Sequence, residues 1–384
     1  MMLAMLIYKY FPYGGQQRDF LRIVERCLSA GHQVRVYCLR WEGTVPCGIQ
    51  LVNVPAKGLS SHTRYQRFSA WVKQDIQNNP VDAVIGFSKM PDLDLYYAAD
   101  PCFAARLQRE NSLIKRILPR YRHFLAYEKA VFDKDSRTEV ILLSPQQHSE
   151  FCENYPGCQP RLHQCAPGID ASRLPSTDAT EERQLFRAKY ALGNHDIALL
   201  QIGSSFRIKG IDRSIRALAS LPHDIRSRTQ FYIVGRDKPG DYEKLARSLG
   251  VGDRCHFLGG RDDVPLFLRG CDLLLHPAYS ESAGYTILEA VINGLPVLTT
   301  DTCGYAFHVQ KARAGEICTS PFSQQEFNNM LLSMLESPTR ELWQQHGLAY
   351  AKQIDVTGMP EAVIKLIENF VQAREAGRLV RASQ

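Results

Sequence analysis

The chain has 384 residues, 45% hydrophobic and 22% charged, with a formal net charge of +6. That length exceeds one ordinary core and fits two domains, and the apolar fraction excludes disorder as the default state. No run of about 18 apolar residues occurs, so no membrane-spanning helix is expected, while the modest charge leaves nucleic acid, anionic lipid or an anionic substrate open as partners.

The opening stretch lacks a basic leader and its apolar run is short, so it reads as a buried strand over 3–7 rather than a signal peptide. A turn through Gly14 and Gly15 follows. Phe20, Leu21, Ile23, Val24, Cys27 and Leu28 then recur at a helical period, predicting a helix over 17–30 that ends at Gly31. Strands are expected over 34–39 and 49–54, a helix over 65–77, strands over 81–87 and 140–143, and a helix opened by Ser144 and Pro145. The aperiodic, Pro- and Ser-rich segment from Pro167 to about Thr180 reads as a domain boundary. The alternation then restarts. Strands are expected over 197–202, 231–234, 255–258, 272–276 and 296–299, with helices over 211–221, 242–249 and 283–293. From Ser323 the chain reads as helical. The pattern predicts an α/β protein of two doubly wound units. One covers 1–168 and one 169–355, and a last helix over 356–384 packs back toward the first. The 11 cysteines include no CxxC pair. Cys152, Cys158 and Cys165 match no zinc spacing, so the cysteines read as small buried hydrophobes in a reducing compartment.

The strongest chemical signal is the run from Glu281 through Ser282, Ala283, Gly284, Tyr285 and Thr286 to Glu289. It follows a predicted strand and opens a helix. Free N–H groups at a helix start suit a diphosphate, and Gly284 lets that backbone come close. The two glutamates lie eight residues apart, about 12 Å along a helix. That spacing fits two ends of an extended ligand, such as the hexose and ribose of a nucleotide sugar. Arg207 and Lys209 follow the strand over 197–202, at the carboxyl end where open α/β sheets bind ligands. Gly235 ends the next strand, and Arg261 and Asp263 follow the one after. These strand ends are expected to face one crevice. In the first half, Gly15 and Asp19 sit at the first helix. The G-x-G-x-x-G fingerprint is missing there, which disfavours NAD. Asp19 suits either a sugar contact or the helix N-terminus.

Residues 103–132 interleave Arg106, Arg109, Lys115, Arg116, Arg120, Arg122 and Lys129 with aromatic and aliphatic side chains, Tyr121 among them. Such a stretch suits an anionic membrane surface, where each basic residue contributes roughly 1 kcal/mol. A packed helix with a solvated basic face is the plainer reading. A nucleic-acid patch ranks last, because no nucleic-acid fold motif accompanies it. Two D-x-D triplets, at Asp92/Asp94 and Asp133/Asp135, lie away from the expected diphosphate crevice, so no metal is expected.

The Glu281…Glu289 element, the R-x-K-G from Arg207 and the N-terminal Gly-Gly loop resemble retaining glycosyltransferase family 4, of GT-B fold. YKYFPYGGQQRDF from Tyr8, WEG from Trp41, HPAYSESAG from His276 and LPVLTTDTCGY from Leu295 are similar to its lipopolysaccharide core glucosyltransferases of Gram-negative bacteria, and the likeness runs over nearly all the chain. The resemblance implies two Rossmann-like domains facing across a cleft and UDP-glucose as donor. It implies a heptosylated lipid A–core acceptor, an α-1,3 link, and peripheral work at the cytoplasmic face of the inner membrane against anionic lipids. UDP-glucose is a substrate, and no cofactor is expected. It further implies that Gly15 and Asp19 contact the donor, Arg173 and Lys209 face the diphosphate, and Arg261 and Asp263 lie by the base. Glu281 would hold the hexose, the backbone of Ala283, Gly284, Tyr285 and Thr286 the phosphates, and Glu289 the ribose. Asp19, Lys209 and Glu281 are the catalytic candidates. The family carries an arginine directly before the lysine; here that position is Ile208, with Arg207 one residue earlier.

On this reading the sugar transfers with retention by front-face displacement, without a metal. Lys209, an arginine and the helix start stabilise the leaving UDP, and its phosphate oxygen takes the acceptor proton. The alternatives are another family 4 hexosyltransferase, a nucleotide-sugar epimerase on the same fold, and a basic membrane- or nucleic-acid-binding protein.

Overall fold

The computed structural model describes residues 1–12, 14–109 and 117–382, the last five by backbone alone. They divide into two compact units, Met1–Gly168 with Gly358–Gln384, and Ile169–Thr357.

The first unit is built on β1 (Met2–Leu6), β3 (Gln33–Cys38), β5 (Ile49–Asn53), β6 (Ala83–Gly86), β7 (Leu95–Tyr97), β8 (Glu139–Leu142) and β9 (Leu162–Gln164). They form one parallel sheet in the order β5-β3-β1-β6-β7-β8-β9. A small parallel pair, β2 (Lys9–Tyr10) with β4 (Arg40–Trp41), stands beside it and stacks Tyr10 on Trp41. Parallel strands are covered on both faces, which is why Leu3, Ala4 and Met5 are wholly buried. The helix Gly15–Ser29 buries Phe20, Ile23, Val24 and Cys27, the predicted helical stripe. The last helix, Met359–Ala382, packs on it through buried Val363, Ile364 and Ile367. Arg26 pairs with Glu361 and His32 with Glu368 along that seam.

The second unit holds β10 (Ile197–Ile202), β11 (Thr229–Val234), β12 (Cys255–Phe257), β13 (Leu273–His276), β14 (Val297–Thr300) and β15 (Gly315–Cys318). All pair in parallel, in the order β12-β11-β10-β13-β14-β15. Every residue of β10 is buried, as its unbroken apolar run requires of a central parallel strand.

Five strands escape the pattern reading: β2, β4, β7, β9 and β15. Each has two to four residues, too few to show a period. The boundary segment is also less irregular than its composition suggests. Ala171–Arg173 forms one 3₁₀ turn, and Ala179–Lys189 is a helix that buries only Phe186 and so carries little apolar signal.

Candidate active site

In an open parallel sheet, ligands bind beyond the carboxyl ends of the two neighbouring strands where the winding reverses. In the second unit those strands are β10 and β13. The loop after β10 carries Lys209, and the loop after β13 carries Glu281. Lys209 Nζ donates to Glu281 Oε2, joining residues far apart in sequence. The turn that allows this runs through two left-handed residues, Ser205 (φ 66°) and Gly210 (φ 70°). A Cβ at Gly210 would overlap the Pro277 carbonyl oxygen, so only glycine lets the two loops touch. Tyr279 N–H donates to the Ile208 carbonyl at 2.8 Å and locks the contact.

Glu281 does not lie on the helix. It forms a one-residue bridge with Cys303, donating its N–H to Thr302 O at 3.0 Å and accepting from Gly304 N–H at 2.9 Å. The helix begins later, as Tyr285–Ile292, after Gly284 at φ 93°. The spacing of about 12 Å expected between Glu281 and Glu289 along a helix therefore does not hold, since Glu289 alone is helical. At the helix start, Tyr285 and Thr286 precede any i−4 partner within the helix. Glu289 is only 4% exposed, and its carboxylate takes no hydrogen bond or ion pair from the described residues. A buried carboxylate in that condition suits a ligand's hydroxyls.

His276, the last residue of β13, is missing from the sequence reading. It is 0% exposed, with Nδ1 3.3 Å from Thr286 Oγ1 and Nε2 3.8 Å from Glu281 Oε2. Burial, with Lys209 nearby, lowers its pKa and keeps it neutral. Burial alone would raise the Glu281 carboxyl, but Lys209 overcomes it and brings it down to about 2. Its charge therefore persists throughout the neutral range. A signal was present, since a polar residue ending a buried apolar strand at a ligand-binding edge is unusual.

The other candidates fall into three groups. Gly235 is a packing glycine: a Cβ there would overlap the Gly203 carbonyl, and its neighbours brace the Lys209 loop through Arg236 N–H to Ser204 Oγ (3.1 Å) and Phe206 N–H to Asp237 Oδ2 (2.8 Å). Arg261 and Asp263 follow β12 at the sheet edge, two strands from β10. Those two pair with each other at 2.6 and 2.7 Å, and Arg261 with Lys189 brings the Asp263 carboxyl down to about 2. Arg207 is exposed and makes no ion pair with the described residues. Arg173 is held at the far end of the helix: its carbonyl accepts from Asn293 Nδ2 at 2.7 Å, one turn past Glu289.

In the first unit, a Cβ at Gly15 would meet nothing, which leaves open space before the helix. Asp19 is 1% exposed, pairing with Arg22 at 2.6 Å and accepting from Tyr97 Oη at 2.8 Å. It lies in the second turn, so it does not complement the helix N-terminus.

Of the basic stretch, Lys115 and Arg116 lie outside the described residues. Its aromatic side is not a free surface. Phe103 packs on Tyr121 and Phe124, and Phe124 packs on Tyr65. Arg109 pairs with Glu150 at 2.7 Å. What faces outward is Arg120, Arg122 and Lys129 beside Ile117, which is 72% exposed. In the D-x-D triplets, Asp92 pairs with Lys73, Asp94 with Arg374 and Asp133 with Lys129.

A family model described as glycosyl transferases group 1 matches residues 182–350. The lipopolysaccharide glucosyltransferase WaaG of Escherichia coli K12 is 42% identical over 96% of this chain and 98% of its own. A crystal structure of WaaG, described as a glycosyltransferase involved in lipopolysaccharide biosynthesis, superposes with a TM-score of 0.91 over 95% of this chain and 99% of that one. Anabaena HepE in complex with UDP-glucose shares the fold at 18% identity, with a TM-score of 0.73 over 96% of this chain and all of its own. The two parallel-sheet units are those of the GT-B fold.

Proposed function

The chain belongs to the group 1 glycosyl transferases, and from that premise we propose that it moves glucose from UDP-glucose to an inner-core heptose of lipopolysaccharide. The sequence likeness to WaaG over nearly all of both chains supports the sugar and the acceptor class. The observation that carries the chemistry is the meeting of Lys209, Glu281 and the Tyr285 helix start at the reversal of the second sheet.

The hexose lies against Glu281, the diphosphate against Lys209, Arg173 and the helix start, and the ribose against Glu289. As the sugar–phosphate bond breaks, negative charge grows on the β-phosphate. Lys209 and the N–H groups of Tyr285 and Thr286 stabilise it in place. The departing phosphate oxygen takes the acceptor's proton, so the sugar is delivered with retention and no protein nucleophile is needed. The protein works as a peripheral enzyme at the cytoplasmic face of the inner membrane, with Arg120 and Arg122 toward anionic lipid.

Turnover of UDP-glucose with heptose-terminated core lipopolysaccharide tests this reading. UDP release that depends on the acceptor supports it, and interconversion of the nucleotide sugar without acceptor favours an epimerase.

A further inference from the structure

His276 poses a hydrogen-bonding problem that the roles above do not use. Its ring is wholly buried. Nδ1 reaches Thr286 Oγ1 at 3.3 Å, while Nε2 has no hydrogen-bond partner. A neutral imidazole carries one proton. Glu281 Oε2 stands 3.8 Å from Nε2. A lone pair facing a carboxylate is repulsive, so the proton sits on Nε2 and Thr286 donates its hydroxyl to Nδ1. The result is a buried N–H pointing at a carboxylate just beyond bonding reach. Leaving such a donor unmet costs about 1–3 kcal/mol.

Glu281 is held short of that donor by its other partner, since the oxygen nearest His276 is the one that Lys209 holds. Lys209 in turn has a second anionic partner on the reading above, the donor's diphosphate. We propose that His276 is a positioning residue that receives Glu281 when Lys209 turns to the diphosphate, so that donor binding exchanges one partner of Glu281 for another. Glu281 then faces the hexose from a fixed place. The same ring fixes Thr286 at the helix start, so it ties the hexose carboxylate to the phosphate cradle. The main chain of His276 is anchored for this by Thr299 Oγ1, which donates to its carbonyl at 2.9 Å. The exchange moves no covalent bond and consumes no proton. It rests on the nucleotide-sugar reading of this site.

The test uses the full chain with UDP alone as probe, followed by turnover of UDP-glucose. A slowly exchanging imidazole N–H proton resonance of the wild-type protein, assigned by its absence in His276→Gln, reports on Nε2. On adding UDP it moves downfield, because the proton enters a hydrogen bond to a carboxylate. His276→Phe, which fills the space without a donor, lowers kcat on the order of tenfold or more, the size of one hydrogen bond to a charged group. His276→Gln, whose amide can donate to Glu281, restores most of that loss. A merely structural histidine predicts neither the UDP-dependent shift nor rescue confined to kcat. If UDP binds and the resonance stays still, the exchange is wrong even though the site reading stands. If UDP fails to bind wild-type protein, the site reading falls and the exchange with it.

Discussion

Each unit places a lysine–glutamate pair just past a strand at the reversal of its sheet, and the two pairs differ in how completely they are satisfied. Lys89, after β6, meets Glu128 at 2.5 Å, with the carboxylate fully buried. Glu128 also accepts from Phe103 N–H at 2.7 Å, Ala104 N–H at 2.8 Å and Tyr155 Oη at 2.8 Å, and Lys89 donates to the Pro101 carbonyl at 2.7 Å. Lys209 and Glu281 hold each other but have few other partners, and the Glu281 side chain remains 21% exposed. A saturated buried pair fastens elements together, here the helices Phe103–Arg109 and Pro119–Phe132. An under-coordinated pair at the same topological place is available to a ligand. The comparison teaches that charge and position alone do not mark a site; unfilled valence does.

The sharpest way to break this contrast is Glu128→Ala. It leaves the Lys89 ammonium buried without its partner, so the first unit should lose about 3–5 kcal/mol of stability in denaturant unfolding. Burial would raise the Glu128 carboxyl, but Lys89 and the two N–H groups outweigh it and hold it below its ordinary range. Its contribution is therefore complete above that range and fades as pH falls through the lowered value. An unchanged unfolding midpoint would remove the structural half of the comparison.

Lys209→Ala should lower kcat by about 10²–10³-fold at saturating donor, the scale for losing one preorganised stabiliser of a leaving charge. Unchanged turnover would contradict the chemical half. The Glu281 carboxyl, held near 2, stays ionised down to that pH, so no titration of Glu281 should appear in the activity profile between about pH 5 and 8.

Reversing Arg120 and Arg122 to Glu should weaken binding to anionic vesicles by more than about 2 kcal/mol, from roughly 1 kcal/mol per basic residue removed, with kcat on a soluble acceptor unaltered. Equal binding by wild type and variant would leave these residues as a solvated face. The smallest effect belongs to Asp263→Asn. Its pairing with Arg261 is about one-third exposed, so less than about 1 kcal/mol of stability should go. A larger loss would mean that edge pair does more than close a loop.

The architecture was legible where strands are long and wholly buried. The apolar run of β10 can only be a central parallel strand, and the Phe20–Cys27 stripe can only be a covered helix face. What escaped were the short strands, among them β7 and β9, which owe their pairing to neighbours rather than to their own pattern. Lys209 and Glu281 were legible as site residues one at a time. Their meeting was not, because it depends on Gly210 letting one loop rest on the Pro277 carbonyl. Glu281 was misplaced onto the helix because Gly284 looks like a residue inside it, whereas its left-handed backbone stands at the start. The aromatic face of residues 103–132 was read as surface because amphipathic period alone does not reveal whether a covering element exists, and here Tyr65 belongs to one.

The measurement that tests the account most directly is UDP release from UDP-glucose, with and without purified heptose-terminated lipopolysaccharide core, in the presence of EDTA. The account predicts release that requires the core acceptor, survives EDTA and falls by about 10²–10³-fold in Lys209→Ala. Release without acceptor, or none with it, would contradict the proposed transfer.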